Sequence, residues 1–280
     1  MSSEKDVEAN HASLSRRRRM ELLRHHGFSG GVITKHRALL TLPLKPAEGW
    51  MAMFLAVLLL AGWLMLLRWV NAAWTWGTSY WSDVLFEGAA VKHKGYSIGP
   101  LLRIEVPYLD ITAGVPDSGA WWMALLLTTL TVLISFIIPR RQMPVIYLLR
   151  ALAFIQTCSL AYFAINPAYF PYTVSDYQSG MLMAGLFVIS LVPVLLGATY
   201  YIFDFGLPKK LLLTVITMFY LGILIPMQYL VHVYLIQQYS MLFMPVLFFF
   251  FGLPLDIFVF IAFYAWGMSW RNKRAKSVFR

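Results

Sequence analysis

The chain has 280 residues, of which 59% are hydrophobic and 13% charged, and its mean hydropathy is +0.65. Soluble domains carry about 25% charge, so water is the wrong solvent for most of this chain and an all-α, polytopic membrane fold is expected. The single cysteine, Cys158, excludes an intramolecular disulfide and a cysteine-cluster metal site. No nucleic-acid-binding motif accompanies the net charge of +10, so that charge is read as basic segments held against anionic lipid.

Residues 1–49 form a polar, basic tail. Its run 15–26 holds Arg16, Arg17, Arg18, Arg19 and Arg24. The plain reading is a topology determinant in an otherwise unstructured tail. The sharper one is a short helix, capped by Ser15, that binds anionic lipid or a partner. Glycines at 27–31 break the run, and Pro43 and Pro46 lead into an apolar stretch starting near Trp50. That stretch is long enough to span, so it is expected to stay as a signal anchor.

A span needs about 20 mostly apolar residues. Six segments qualify, at 50–70, 121–138, 143–165, 181–203, 211–235 and 241–266. The connections set their orientation. Nine Lys and Arg lie in the tail, two in the 139–144 turn, two at Lys209 and Lys210, and five in the basic tail 271–280. The opposite side has three, Lys92, Lys94 and Arg103. Both ends are therefore expected in the cytoplasm. The absence of any Asn-x-Ser/Thr acceptor is compatible with a bacterial inner membrane.

The external loop 71–120 opens with Trp74, Trp76, Tyr80 and Trp81, read as an interfacial helix or aromatic belt. Its stretch 102–111 alternates apolar and polar but contains Pro107, so it is at most an edge strand. A loop of this size cannot bury a robust core by itself. It is expected to cap the membrane surface or to meet other membrane or periplasmic subunits. The second external loop, 166–180, is short and rich in Tyr and Pro. Phe-Gly-Leu-Pro recurs at 205–208 and 251–254, but the flanks differ and no duplication follows.

Within lipid the informative residues are ionisable, because a charge at mid-bilayer costs about 2.5–3.5 kcal/mol or more. Arg150 lies nine residues in from Arg141, about 13 Å at helical rise. Asp256 lies ten residues before Trp266, about 15 Å from the same interface. Matching depths suggest an ion pair, serving as a clamp between spans or, functionally, as a gate, proton relay or headgroup site. Arg150 could alternatively snorkel to the surface.

His232, Gln237, Gln238 and Asp204 are the remaining candidates for polar or pore-lining positions; Asp204 is also placed to pair with Lys209 or Lys210. His232 is the only histidine in a span, which argues against a bis-histidine haem. No zinc-protease, phosphate-binding or nucleophile motif is present, so no cofactor, metal or catalytic residue is assigned. Cys158 reads as a buried structural thiol. Pro193, Pro226, Gly252 and Pro254 mark expected kinks.

Three functions remain open on these residues. The first is a non-catalytic inner-membrane subunit or assembly factor of an envelope complex for secretion, conjugation or polymer export. The second is a small transporter or channel using Arg150 and Asp256. The third is a membrane enzyme acting on a lipid-linked substrate.

Overall fold

The computed structural model describes residues 46–99, 102–112, 116–200 and 206–270. The basic-tail residues Arg16, Arg17, Arg18, Arg19 and Arg24, the tail 271–280, and Asp204 lie outside the described residues.

Helix α1 runs Pro46–Leu85 and is followed by strands β1 (Val91–Ile98) and β2 (Leu102–Leu109). Then come α2 (Ser118–Ile137), α3 (Met143–Ile165), α4 (Val174–Thr199) and α5 (Leu207–Gln238). The last apolar segment is divided into α6 (Met244–Phe251) and α7 (Leu253–Met268). Counting that divided segment once, six helical segments among the described residues are long and apolar enough to cross a membrane. The chain is thus an all-α polytopic membrane protein with one small sheet.

Two boundaries differ most from those expected of the sequence, for clear reasons. The first span does not stop near residue 70 to leave a separate interfacial helix. It continues as one 40-residue helix, about 60 Å long at helical rise. Tertiary contacts hold the extension: Trp74 is buried and its indole N–H donates to the Gly222 carbonyl at 2.8 Å. The helix ends where Glu87 and Gly88 turn left-handed, at φ 53° and 77°. Likewise α4 starts at Val174, earlier than hydropathy suggests, because Thr173 caps it by accepting from the Asp176 N–H.

The loop between the first two spans folds into an antiparallel hairpin, with Val91 opposite Leu109 and Ile98 opposite Leu102. Pro107 sits opposite His93. Both strands of a two-stranded sheet are edges, so a proline that donates nothing is tolerated. Ile104, Val106 and Leu109 are buried, and their strand packs against α1 and α4. Gln178 fixes the dock by accepting from the Leu109 N–H at 2.8 Å, while Tyr96 donates to Ser179. Lys94 and Lys92 pair with Asp176 and Asp110, each at 2.6 Å. These carboxylates hold both lysine ammoniums above the usual lysine range, mainly through the hydrogen bonds they accept.

Helices α4 and α5 form the centre. About half of each apolar stretch is buried, against 17% for α1 and α2, and α1, α6 and α7 pack on this pair. Apolar burial does not drive helices together in lipid, so close packing and polar contacts must do it. Gly185 shows the first device: a Cβ there would lie 2.5 Å from Ile225 Cγ2. Gln156 and Ser159 show the second. Both donate to the Leu242 carbonyl, at 3.2 and 2.7 Å, and tie the α2–α3 pair to the turn before α6.

Candidate functional site

The site is built around a break in the last span. Pro254 has no N–H to offer the preceding turn and stands in the first turn of a new helix, directly after Gly252 and Leu253. Gly252 makes the break possible, because a Cβ there would meet the Phe248 carbonyl oxygen at 2.5 Å. The new helix α7 begins when the N–H groups of Leu255 and Asp256 turn to the Gly252 carbonyl, at 2.9 and 3.4 Å. The expected kink at Gly252 and Pro254 is therefore a full interruption.

Asp256 lies in the first turn of α7 and is completely buried. Facing it, α5 presents Gln228, Tyr229 and His232, all buried. Their spacing of three to four residues puts Gln228 and Tyr229 one turn below His232 on the same helix face. The Tyr229 hydroxyl donates to Asp256 Oδ2 at 3.2 Å. Gln228 Nε2 donates to the Gly252 carbonyl at 3.5 Å, at the limit of hydrogen bonding. The Tyr177 hydroxyl of α4 lies 2.9 Å from His232 Nδ1. The rings of Tyr229 and His232 meet edge-on with centroids 5.3 Å apart. Tyr177, His232, Tyr229 and Asp256 thus form a file of polar groups leading inward from the hairpin end.

Two acceptors in this cluster have no partner: Asp256 Oδ1 and Gln228 Oε1. A buried acceptor without a donor costs about 1–3 kcal/mol, and more if it is charged. The cluster therefore lacks donors, and its acidic member is the only carboxylate there. A proton on Asp256 would add one.

The structure does not bring Arg150 and Asp256 together. Arg150 is exposed on α3, with its guanidinium 5.0 Å above the Phe136 ring of α2. It thus lies on the exposed surface shared by α2 and α3, away from the buried Asp256. Matching depth along two helices says nothing about which faces they present, and here the faces diverge. Gln237 and Gln238 are the last residues of α5 and are exposed. Pro193 and Pro226 are buried inside helices that run on through them. Cys158 is exposed, not buried as expected.

Tyr229, Gln228 and Tyr177 do not stand out in the sequence. Tyrosine is common in membrane proteins, and neither it nor glutamine is charged, so nothing marks these three. The available signal is Gln228 four residues before His232, two polar side chains on one face of a span. Among the described residues, no group of three His, Cys, Asp or Glu side chains is placed to hold a metal ion. Protein-family models, curated proteins and solved structures give no match to this chain, so function must be read from the site's own geometry.

Proposed function

We propose that this chain is a small membrane transport protein in which Asp256 takes up and releases a proton, working alone or as a subunit of a larger membrane complex. One observation carries the reading: a fully buried carboxyl group, at a break in a span, with one oxygen bonded to Tyr229 and the other unpartnered. Ionisable groups inside a membrane protein are costly and mark function by default. Interrupted spans are where transport proteins place ion and proton sites, because the break frees backbone groups at depth. Tyr177, His232 and Tyr229 supply exchangeable protons between Asp256 and the hairpin end. The lysine and arginine distribution supports both basic tails in the cytoplasm, and with the absence of an Asn-x-Ser/Thr acceptor it is compatible with a bacterial inner membrane.

The test is proton flux into vesicles holding the purified full chain and an internal pH-sensitive dye, driven by an imposed potential. Flux above empty vesicles is expected from the native chain and from Arg150→Gln. It should vanish in Asp256→Asn. Native flux equal to that of empty vesicles, or an active Asp256→Asn, removes the reading.

A second reading, a non-catalytic subunit or assembly factor, draws support from the α3 surface. Arg150 and Cys158 are both exposed on that span. A partner helix carrying a carboxylate would pair with Arg150. Crosslinking through Cys158, followed by identification of stoichiometric partners, tests it. The reading fails if the chain stays alone in mild detergent or if Arg150→Gln leaves every partner in place.

A further inference from the structure

A cleft of about 560 Å³ opens between α1 and the hairpin. That volume lies within the ~300–1,000 Å³ typical of small-ligand sites. The polar cluster at Asp256 contributes nothing to its lining, and the proposed function does not use it. Its walls bring together Arg68 and Asn71 from α1 and His93, Arg103 and Glu105 from the two strands, above Leu64.

Three properties of the cleft narrow its ligand. The first is depth. Arg68 follows Trp50 by eighteen residues, about 27 Å at helical rise, against about 30 Å of hydrocarbon. The cleft therefore lies at the membrane boundary, and exposed Leu64 continues it along the lipid-facing side of α1. The second is charge. Arg68 and Arg103 reach one cavity from separate elements, a helix and a strand. Neither guanidinium is buried, and Arg103 has a single, long pairing of 3.5 Å with Glu105. Arginine forks match phosphate oxygens. The third is an unmet acceptor. Asn71 Oδ1 is buried and has no hydrogen-bond partner. With the Glu105 carboxylate it gives the cavity two acceptors beside its two guanidinium groups. The remaining polar groups of the lining, His93 and Thr75, engage each other at 3.0 Å.

We propose that this cleft binds the headgroup of a phosphoethanolamine lipid. The phosphate lies on Arg68 and Arg103, the primary ammonium donates to Asn71 Oδ1 and Glu105, and an acyl chain follows Leu64. The ammonium is the discriminating feature. A phosphocholine headgroup has the same charges but no N–H, so it leaves Asn71 Oδ1 unpartnered. A phosphoglycerol headgroup offers hydroxyls but no cation for Glu105.

The experiment is native mass spectrometry of the delipidated full chain, incubated in turn with phosphatidylethanolamine, phosphatidylcholine and phosphatidylglycerol. Phosphatidylethanolamine should be retained about tenfold more than either other lipid, the factor that one charge-assisted contact supplies. Arg68→Gln and Arg103→Gln should each lower its retention about tenfold. Glu105→Gln should instead narrow the preference over phosphatidylcholine. Arg150→Gln, on the distant α3 surface, should change nothing, and size-exclusion profiles confirm that each variant is folded. Equal retention of ethanolamine and choline lipids overturns the proposal. So does a preference for phosphatidylglycerol, or folded Arg68→Gln and Arg103→Gln variants that both retain lipid as the native chain does.

Discussion

Tyr229 on α5 and Asp256 on α7 meet at 3.2 Å in the buried interior, where the tyrosine hydroxyl donates to Asp256 Oδ2. The bond joins the central helix to the half-span beyond the Gly252 break. Stability and the proposed proton chemistry therefore draw on the same contact, and substitutions can separate them. Tyr229→Phe strips the hydroxyl donor from Asp256 Oδ2. It should cost about 1–3 kcal/mol in detergent unfolding experiments. Asp256→Asn keeps the shape and brings its own N–H donors, so it should unfold within about 1 kcal/mol of the native chain while losing proton flux.

Gly252 and Gly185 test close approach in two settings. At Gly252 the obstructing atom is a backbone oxygen, 2.5 Å from where a methyl carbon would sit, and it cannot move without rebuilding the break. Gly252→Ala should lower stability by about 1–3 kcal/mol, and a second substitution at a side chain should not restore it. At Gly185 the obstruction is the Ile225 side chain. Gly185→Ala should be similarly destabilising alone but largely rescued by Ile225→Ala, and a double-mutant cycle on unfolding free energies measures the difference.

The attachment of α2 and α3 depends on the Leu242 carbonyl, which accepts from Gln156 and Ser159. Hydrogen bonds between membrane helices are worth about 0.6 kcal/mol on average. Gln156→Leu or Ser159→Ala alone should therefore be mild. Together they leave a buried carbonyl bare, and the loss should exceed the sum of the two. Unfolding of the single and double variants in detergent gives the comparison directly.

Docking of the hairpin should weaken in alkali. Asp176 holds the Lys94 ammonium above its ordinary value of 10.5. A raised pKa means that the folded state binds the proton more tightly, so the contribution is complete below the ordinary value. It is lost as pH rises through the raised one. The partly exposed pair is worth no more than about 1 kcal/mol, and salt should diminish it. Limited proteolysis of the hairpin should thus accelerate above the lysine range, and Lys94→Met should remove much of that pH dependence. Lys92 and Asp110 add a second pair with the same sign.

What the residues determined alone was the solvent and the number of crossings. Long apolar runs and a low charge content leave no other fate for such a backbone, since every N–H must be satisfied within its own segment. Gly252 and Pro254 marked a kink, because one lacks a side chain and the other a donor, but Pro193 and Pro226 carried the same mark and their helices run on, so the full break was not legible in advance. Partner choice was another matter. Arg150 and Asp256 share a depth but not a direction, and direction depends on how each helix is rotated against its neighbours. Rotation is set by contacts such as Gly185 on Ile225 and Ser159 on the Leu242 carbonyl, which join residues far apart in the chain. The same is true of the cleft, where Arg68 and Arg103 share a cavity only because the hairpin docks on α1. One-dimensional patterns encode burial depth, whereas facing side chains are selected by packing in three dimensions.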